Sequence, residues 1–500
     1  RQGILSRRYK NISFLEGDDA KYAGHAFWKH IANNYGDATI RDLLYVTRVS
    51  HNIDNATLYV LGQTVRSVWD ECVTDFVRRY DSDNDEQAIP EKGLIKRPKA
   101  TRVYNQVRVS PDGNTVAFAT NELGQNKIWL YDVATQKTKR IYKANHKMAR
   151  ANDYSYPLLA WHPNGEVLTF IIERKGYIVM QFYDIKSESF TERNITGFEK
   201  VLSYSYHKDG KLFAMSAVKK GQTDIYVFTA SSSANFQVTN DIYDDLNPCF
   251  VSNGKEIAFS SNRPGDTLYY DKKRTYPPRQ DYFDVFMFDN TNKSPVLKRI
   301  TKTPNVNEVQ AHYYDSAHVA YLSDANGIYN RYVAHIDSTI AFVDTITHYK
   351  PLINSKSTSN YERSIIEQDI NPKAGKYAEV IYNNGKYHMF VNDMVKSDSL
   401  RAINLSNTSY RNHTNNVLEI KQEEQKASIK NQIEIKTIAV KKDTSTADNS
   451  IDINNYVFAD EENERITKKK IADSLNAGVN DKFQIAKQVN YYTVFSLDYV

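Results

Sequence analysis

The sequence predicts a mainly β protein: a six-bladed β-propeller with an N-terminal α-helical subdomain and a long flexible C-terminal tether. Apolar residues recur at helical spacing up to about residue 80, and a turn-and-strand signal then repeats at a regular interval. Aromatic residues make up 12% and hydrophobic residues 41% of the chain, which is typical of a folded, strand-rich protein. A length of 500 residues predicts several structural units.

Three amphipathic helices are expected at the start of the chain. In "YAGHAFWKHIANNYG" the apolar residues share one helical face, and Gly36 follows as the C-terminal cap. Asp37 can cap the second helix. The apolar spacing of "NATLYVLGQTVRSVWDECVTDFVRRY" predicts the third helix, capped by Asp54 or Asn55. The polar "DSDNDEQAIPEKG" that follows is typical of a linker, so we assign residues 1–90 to a helical domain.

Repeats govern the middle of the chain. "VSPDGNTVAFAT", "WHPNGEVLTFII", "YHKDGKLFAMSA" and "FVSNGKEIAFSS" each place a glycine after Asp or Asn in a tight turn. These glycines are Gly113, Gly165, Gly210 and Gly254, at spacings of 52, 45 and 44 residues. Each turn precedes two strands, and about four strands per repeat is typical of a propeller blade. Two degenerate copies complete six blades over residues 95–395; a β-sandwich, the alternative, has no reason to repeat at this period.

The segment after the repeats is polar and mixed in charge. Residues 396–485 bury too little apolar surface to offset their ordering entropy, so a flexible tether is expected. At residues 486–500 the sequence "NYYTVFSLDYV" again alternates aromatic and apolar residues. This stretch is either the first strand of a C-terminal β-barrel or a lone edge strand.

The repeats resemble the TolB-like (WD40-like) propellers, whose blades share the order of strand, "SPDG" turn and strand. "SPDGNTVAFATNELGQNKIWLYD" and "SNGKEIAFSSNRPGDTLYY" follow this order closely, and the resemblance covers residues 95–400. "YAGHAFWKHIANNYG" and "LGQTVRSVWDECV" resemble the C-terminal part of peptidase-MA-like (gluzincin) domains. Together the resemblances imply a Gram-negative envelope protein of the periplasm, outer membrane or cell surface. They also imply membrane association through a C-terminal region that is not included here.

A gluzincin active site needs His-Glu-x-x-His on a helix, because two histidines one turn apart hold zinc and the glutamate activates water. None of the 12 histidines forms this motif. His25 and His30 are five residues apart, which places them roughly 140° away from a common face. Glu16 does not align securely with the third ligand of the family. A catalytic half, if the protein has one, would precede Arg1.

Other catalytic motifs do not occur either. The sequence has no Gly-x-Ser-x-Gly elbow, no phosphate-binding loop and no Cys-x-x-Cys. Asp241, Asp244 and Asp245 could bind calcium or could cap turns between blades, and we favour the caps. We therefore expect no catalytic, cofactor-binding or metal-binding residues, and no cofactor. Cys72 and Cys249 are expected to be free thiols.

The charge distribution bears on the partner class. The formal net charge of +5 arises from 65 basic and 60 acidic residues, without a dense basic block that is interleaved with aromatics. We therefore expect no nucleic-acid partner. No run of about 18 apolar residues occurs, and the chain opens on Arg1 without a signal-like start. We expect that the chain lost such a segment or is an excerpt of a longer protein.

The fourth blade carries a long insertion, "NRPGDTLYYDKKRTYPPRQDYFD", where the first blade has only "NELGQNK". Tyrosine and arginine are enriched at binding hot spots, so this loop is the candidate partner surface. The alternative is that the loop only folds back over its own propeller. The function expected is a non-catalytic protein-binding or assembly module for envelope or outer-membrane proteins. The alternatives are a zinc metallopeptidase whose catalytic half precedes residue 1 and a glycan-recognition propeller. The candidate partner-binding residues are Tyr269, Tyr270, Arg274, Tyr276, Arg279 and Tyr282.

Overall fold

The computed structural model describes residues 1–81, 89–90, 92–148, 153–232, 234–268, 277–343 and 347–420. The chain divides into two compact units, Arg1–Leu418 and Glu419–Val500. The first unit contains the helices and blades described below. The predicted barrel strand and residues 421–485 of the predicted tether lie outside the described residues.

The helical segment packs around an apolar core that includes Phe27, Ile31, Leu43 and Trp69. The indole N–H of Trp69 donates to the carbonyl of Tyr9 at 2.9 Å, so its polar atom is satisfied. No helix in the described ranges is both long enough and apolar enough to cross a membrane. The helices are α1 (Gln2–Leu5), α2 (Gly17–Tyr35), α3 (Asp37–Ser50), α4 (Ile53–Leu61) and α5 (Val65–Asp81), with a 3-10 turn at Ile12–Phe14.

The helix ends confirm one predicted cap and correct two others. Asp37 is the first residue of α3, so Gly36 and not Asp37 occupies the N-cap position of that helix. Gly36 caps α2 with a φ of +88°, as predicted. The predicted third helix is wrong as a single element, because Gly62 at φ +72° ends α4 before α5 begins. Asn52 caps α4, and its side chain accepts from the N–H groups of Asp54 and Asn55 at 2.8 and 3.3 Å. Asp54 and Asn55 therefore donate to the capping side chain, and neither of them is the N-cap residue.

Six antiparallel sheets follow one another in the part of the chain that the structure describes, which confirms the predicted propeller. Strand order follows chain order within every sheet, so each blade is a simple meander. The first blade contains β1 (Val103–Val109), β2 (Thr115–Glu122), β3 (Gln125–Asp132) and β4 (Thr138–Ala144), and the second contains β5 (Leu158–Trp161), β6 (Val167–Arg174), β7 (Tyr177–Asp184) and β8 (Phe190–Ile195). The third blade contains β9 (Lys200–Tyr206), β10 (Leu212–Lys219), β11 (Gln222–Thr229) and β12 (Asn235–Gln237), and the fourth contains β13 (Asp245–Val251), β14 (Glu256–Ser261), β15 (Asp284–Asp289) and β16 (Lys298–Arg299). The fifth blade contains β17 (Glu308–Tyr313), β18 (His318–Ser323), β19 (Asn330–Val343) and β20 (Thr347–Ser357), and the sixth contains β21 (Ile365–Asn371), β22 (Lys376–Asn383) and β23 (Lys386–Asp393).

The ring closes between the sixth blade and the first. The first strands of successive blades contact one another, and β21 contacts β1. The described part of the sixth blade has three strands. The N–H of Leu94, which precedes the first blade, donates to the carbonyl of Met389 on β23 at 2.7 Å. Leu94 and Ile95 also pack into the core between the two blades, so the N-terminal linker helps to close the ring.

The propeller has two different faces. Because the chain reverses with each strand, the connections from first to second strands lie on one face, which we call the turn face. The connections from second to third strands lie on the opposite, loop face. The loop face carries the fourth-blade insertion and contacts the helical segment, where the N–H of Gly385 donates to the carbonyl of Ser6 at 2.7 Å.

Residues 396–418, which the sequence predicts to belong to the tether, lie partly against the fifth blade. The guanidinium of Arg411 donates to the carbonyls of Asn305 and Asp324, at 2.8 Å each. The N–H of Thr408 donates to the carbonyl of Asn326 at 2.9 Å, and residues 409–420 are helical. This segment is therefore a further addition to the loop face.

Candidate functional site

A cavity of about 590 Å³ lies on the axis of the propeller. It is lined by the first strands of all six blades and by the turns that follow five of these strands, so it reaches the turn face. Strands of six residues span about 20 Å, which is enough to enclose a short extended chain. One lining residue from each blade in order is Arg108, Ala160, Tyr204, Cys249, His312 and Asp369.

The strands around the cavity are bulged. Gln106, Asn247 and Gln310 have φ values of +53°, +52° and +54°, and the register of their strands shifts at these points. A β-bulge leaves one residue unpaired and re-aims the neighbouring side chains. The side chain of Gln106 reaches the second blade and accepts from the N–H of Leu159 at 3.0 Å. The bulges thus turn backbone and amide groups towards the axis.

Both carboxylates that line the cavity bond the first blade to the sixth. The guanidinium of Arg108 lies 2.6 Å from Glu367, which also accepts from the N–H of Gln106 at 2.6 Å. Asp369 accepts from the N–H of Val109 at 2.8 Å. Burial raises the pKa of Asp369 to about 6, although the nearby Arg108 acts in the opposite direction. These acids stabilise the closure of the ring.

Two further titratable groups in the wall are uncharged near neutral pH. Burial, together with the positive charges of Arg108 and Arg331, lowers the pKa of His312 to about 3. Burial raises the pKa of the Cys249 thiol to about 11. The wall therefore combines neutral imidazole, thiol, amide and aromatic groups with carboxylates that are already bonded.

The predicted acidic cluster contains a buried arginine side chain. The guanidinium of Arg263 donates to Asp241 at 3.1 Å and to both oxygens of Asp245 at 2.9 and 2.8 Å. Asp224 completes a group of three buried carboxylates whose oxygens lie within 4.8 Å of one another. Burial raises the pKa of Asp224 to about 7 and that of Asp241 to about 6. An internal guanidinium thus compensates two of the three carboxylates.

The third predicted acid, Asp244, has contacts other than Arg263. Its carboxylate accepts from the amide of Asn262 at 3.1 Å and lies 3.3 Å from the guanidinium of Arg279. Arg279 is one of the candidate partner-binding residues, and its side chain is 65% exposed. Tyr282 is half-buried, and this burial raises the pKa of its phenol. The other four candidates, Tyr269, Tyr270, Arg274 and Tyr276, lie outside the described residues.

Both described ends of the insertion belong to the fourth blade. Thr267 pairs with Val296, and Leu268 is only 3% exposed in the core between the third and fourth blades. At the other end, the hydroxyl of Tyr243 donates to the carbonyl of Pro277 at 2.8 Å. The sequence showed the extra length of the loop but did not show how much of it packs against the blade.

The two histidines of α2 differ in environment. His25 is exposed, whereas His30 is buried, with Nδ1 at 3.1 Å from a carboxylate oxygen of Asp75. The amide of Asn34 also contacts the ring of His30 at 3.0 Å. Glu16 is exposed at the start of α2. The structure therefore brings His30 and Asp75 together and leaves His25 and Glu16 outside that group.

Comparisons with known proteins complete the description. No protein-family model matches the sequence, and no curated protein matches it. Among solved structures, TolB from Acinetobacter baumannii is 13% identical over 65% of this chain and 69% of that chain, with a TM-score of 0.38. A protein assigned as TolB from Agrobacterium tumefaciens is 15% identical over 55% and 86%, with a TM-score of 0.40. The β-propeller domain of the Trilobed protease from Pyrococcus furiosus is 11% identical over 62% and 100%, with a TM-score of 0.37.

Proposed function

We propose that this chain is a non-catalytic protein-binding module of an outer-membrane-associated envelope complex, with the propeller as the docking platform. The observation that carries the proposal is the axial cavity, which all six blades line and which reaches the turn face. The extra segments described above lie on the loop face, so they leave the mouth of the cavity accessible. A partner segment in extended conformation matches the length and the amide-rich wall of the cavity.

The chemistry of the wall favours binding over catalysis. Glu367 and Asp369, the carboxylates of the lining, already accept hydrogen bonds from backbone N–H groups of the first blade. His312 has a pKa of about 3 and so does not gain a proton near neutral pH. General acid–base catalysis needs a group whose pKa is near the working pH and that is free to reach the substrate. Asp369, with a pKa of about 6, meets the first condition but not the second, because its carboxylate accepts from the N–H of Val109 at 2.8 Å.

The envelope setting rests on the resemblance of the repeats and the opening helices to Gram-negative envelope proteins. On this basis the partners are envelope or outer-membrane proteins, and a C-terminal region anchors the complex at the membrane. The fourth-blade insertion provides a second contact surface, and Arg279 is an exposed cation in its described part. Arginine is enriched at binding hot spots.

Co-purification from solubilised envelopes tests the docking function. Lys208 and Lys373 are exposed and line the cavity mouth, so their replacement by glutamate changes the charge there. Lys211 and Lys255 lie on the same kind of turns without lining the cavity, and their replacement by glutamate is the matched control. We expect envelope proteins to co-purify with the wild type and the control and to be lost from the cavity variant. Equal recovery with all three proteins would contradict docking at the cavity.

A further inference from the structure

The first blade exposes two neighbouring apolar side chains on its loop face. Leu123 lies in the turn between β2 and β3 and is 46% exposed. Met148, which follows β4, is 47% exposed. The N–H of Met148 donates to the carbonyl of Leu123 at 2.8 Å, so the two residues lie side by side.

Leucine is an unusual residue for this turn. Leu123 has a φ of +53° and precedes Gly124, and such two-residue turns favour Asn, Asp or Gly at the first position. Three other two-residue turns in the described chain also pair a positive-φ residue with glycine. Their first residues are Lys175, Lys220 and Asn384, with φ values of +53°, +55° and +48°. Among these four described turns, only that of the first blade places an apolar, branched side chain at this strained, solvent-exposed point.

Four cations lie near this apolar pair. Arg102 and Lys147 both bond the carboxylate of Glu122, at 3.0 and 2.5 Å. Lys127 lies directly opposite Lys143 across the β3–β4 pair. Like charges that face each other across a sheet are destabilising, and the pKa of Lys127 is lowered by desolvation and by the surrounding cations. These four cations against the carboxylate of Glu122 sum to +3. Asp153 and Glu173 line the surface pocket next to Met148, but Lys175 lies in the same pocket and Lys200 lies 3.3 Å from Asp153, so cations remain in excess around the apolar pair.

We propose that this first-blade tip, formed by Leu123 and Met148 with Arg102, Lys127, Lys143 and Lys147, docks on the surface of an anionic lipid bilayer. Apolar side chains enter the headgroup region while the flanking cations bind lipid phosphates. The bilayer relieves the repulsion between Lys127 and Lys143 and shields the two apolar groups from water. A nucleic acid would match the cations, but it would leave the two apolar side chains without a partner. The tip is separate from the axial cavity and does not depend on its function.

Vesicle binding by the full chain tests this assignment. The probes are phosphatidylcholine vesicles with and without phosphatidylglycerol, in co-sedimentation at low and high salt. We expect binding only to the vesicles that contain phosphatidylglycerol, and weaker binding at high salt because screening weakens the attraction. Each basic residue near an anionic surface contributes a factor of about five to the affinity. Lys127→Gln with Lys143→Gln should therefore weaken binding by at least about tenfold.

A second variant separates the apolar contribution from unfolding. Leu123→Asn with Met148→Ser places a favoured turn residue at φ +53°, so its melting temperature should equal or exceed that of the wild type. We expect this variant to lose vesicle binding while it stays folded. Lys220→Gln with Lys255→Gln removes the same charge elsewhere and is expected to leave binding unchanged. The assignment would be overturned if the full chain did not bind anionic vesicles, or if the control variant lost vesicle binding to the same extent. It would also be overturned if the chain bound immobilised polyglutamate but no vesicles, since the partner would then be an acidic protein.

Discussion

The guanidinium of Arg263 donates to both carboxylate oxygens of Asp245, at 2.9 and 2.8 Å, with each side chain no more than 1% exposed. The contact joins the root of the fourth-blade insertion to the start of β13. A second carboxylate, Asp241, accepts from the same guanidinium at 3.1 Å. Removal of the arginine would leave these charges buried without compensation, so the contact can be tested by substitution.

We predict that Arg263→Met lowers the free energy of unfolding by about 3–5 kcal/mol, the usual cost of an uncompensated buried charge. Arg279→Met is the matched control, because its guanidinium is 65% exposed and lies 3.3 Å from Asp244. An exposed pair of this kind contributes less than about 1 kcal/mol. Urea denaturation of the two variants measures the difference. Equal losses of stability would contradict the buried role of Arg263.

The same cluster predicts a pH dependence of stability. The pKa of Asp224 is raised to about 7, above its unfolded value near 4, so the folded state binds the proton more tightly. The contribution of Asp224 is therefore fully present below pH 4 and is lost as the pH rises through 7. We expect Asp224→Asn to reduce the loss of stability between pH 5 and pH 8, measured by urea denaturation. An unchanged pH dependence would show that Asp224 does not titrate in this range.

A close contact between the turns of the third and fourth blades predicts that a methyl group added at Gly254 destabilises the protein. Gly254 has a φ of +87°, and a Cβ there would lie 1.9 Å from Nε2 of His207 on the preceding blade. That imidazole is held 3.0 Å from Asp209 and cannot move away without losing the contact. We expect Gly254→Ala to destabilise more than Gly221→Ala, which has a φ of +74° and open space around it. Gly221→Ala, the control, should lower the free energy of unfolding by about 1–2 kcal/mol, because of backbone strain alone.

Thermal melts in a His207→Ala background complete this test. Removal of the imidazole eliminates the clash but leaves the positive φ of Gly254 in place. The cost of Gly254→Ala should then fall to that of Gly221→Ala. If Gly254→Ala destabilised the His207→Ala protein as much as the wild type, the contact with His207 would not be the source of the strain.

The regular features of the propeller could be predicted because they are local. Gly113, Gly165 and Gly210 follow Asp or Asn, and each adopts the positive φ that such turns require. The break at Gly62 was missed because apolar spacing continues on both sides of it. The bulge at Gln106 has no local signal, since glutamine is not a turn former and packing around the axis imposes its conformation.

The candidate site was less predictable because it joins distant parts of the chain. Arg108 bonds Glu367 across 259 positions of sequence, and only closure of the ring brings them together. The long loop of the fourth blade was visible as extra length. The burial of Leu268 within it was not, since that follows from packing between the third and fourth blades.

This burial changes how the insertion should be tested. Replacement of residues 269–276 by a Gly-Ser linker keeps Leu268 and the bond from Tyr243 to Pro277. We expect the melting temperature to stay within a few degrees of the wild type, because the packed ends of the loop remain. Envelope partners that bind through the tyrosines and Arg274 should be lost from co-purification. If both the melting temperature and the co-purified partners were unchanged, the insertion would not be part of the contact surface.

Site-specific photocrosslinking tests docking at the axial cavity most directly. A benzophenone amino acid at Lys208 lies at the mouth of the cavity on the turn face, and the same group at Lys220 lies on the loop face of the same blade. Both positions are exposed, so neither replacement should disturb folding. In intact envelopes we expect a discrete protein adduct from position 208 and none of the same mass from position 220. No adduct at Lys208, or identical adducts at both positions, would contradict docking at the axial cavity.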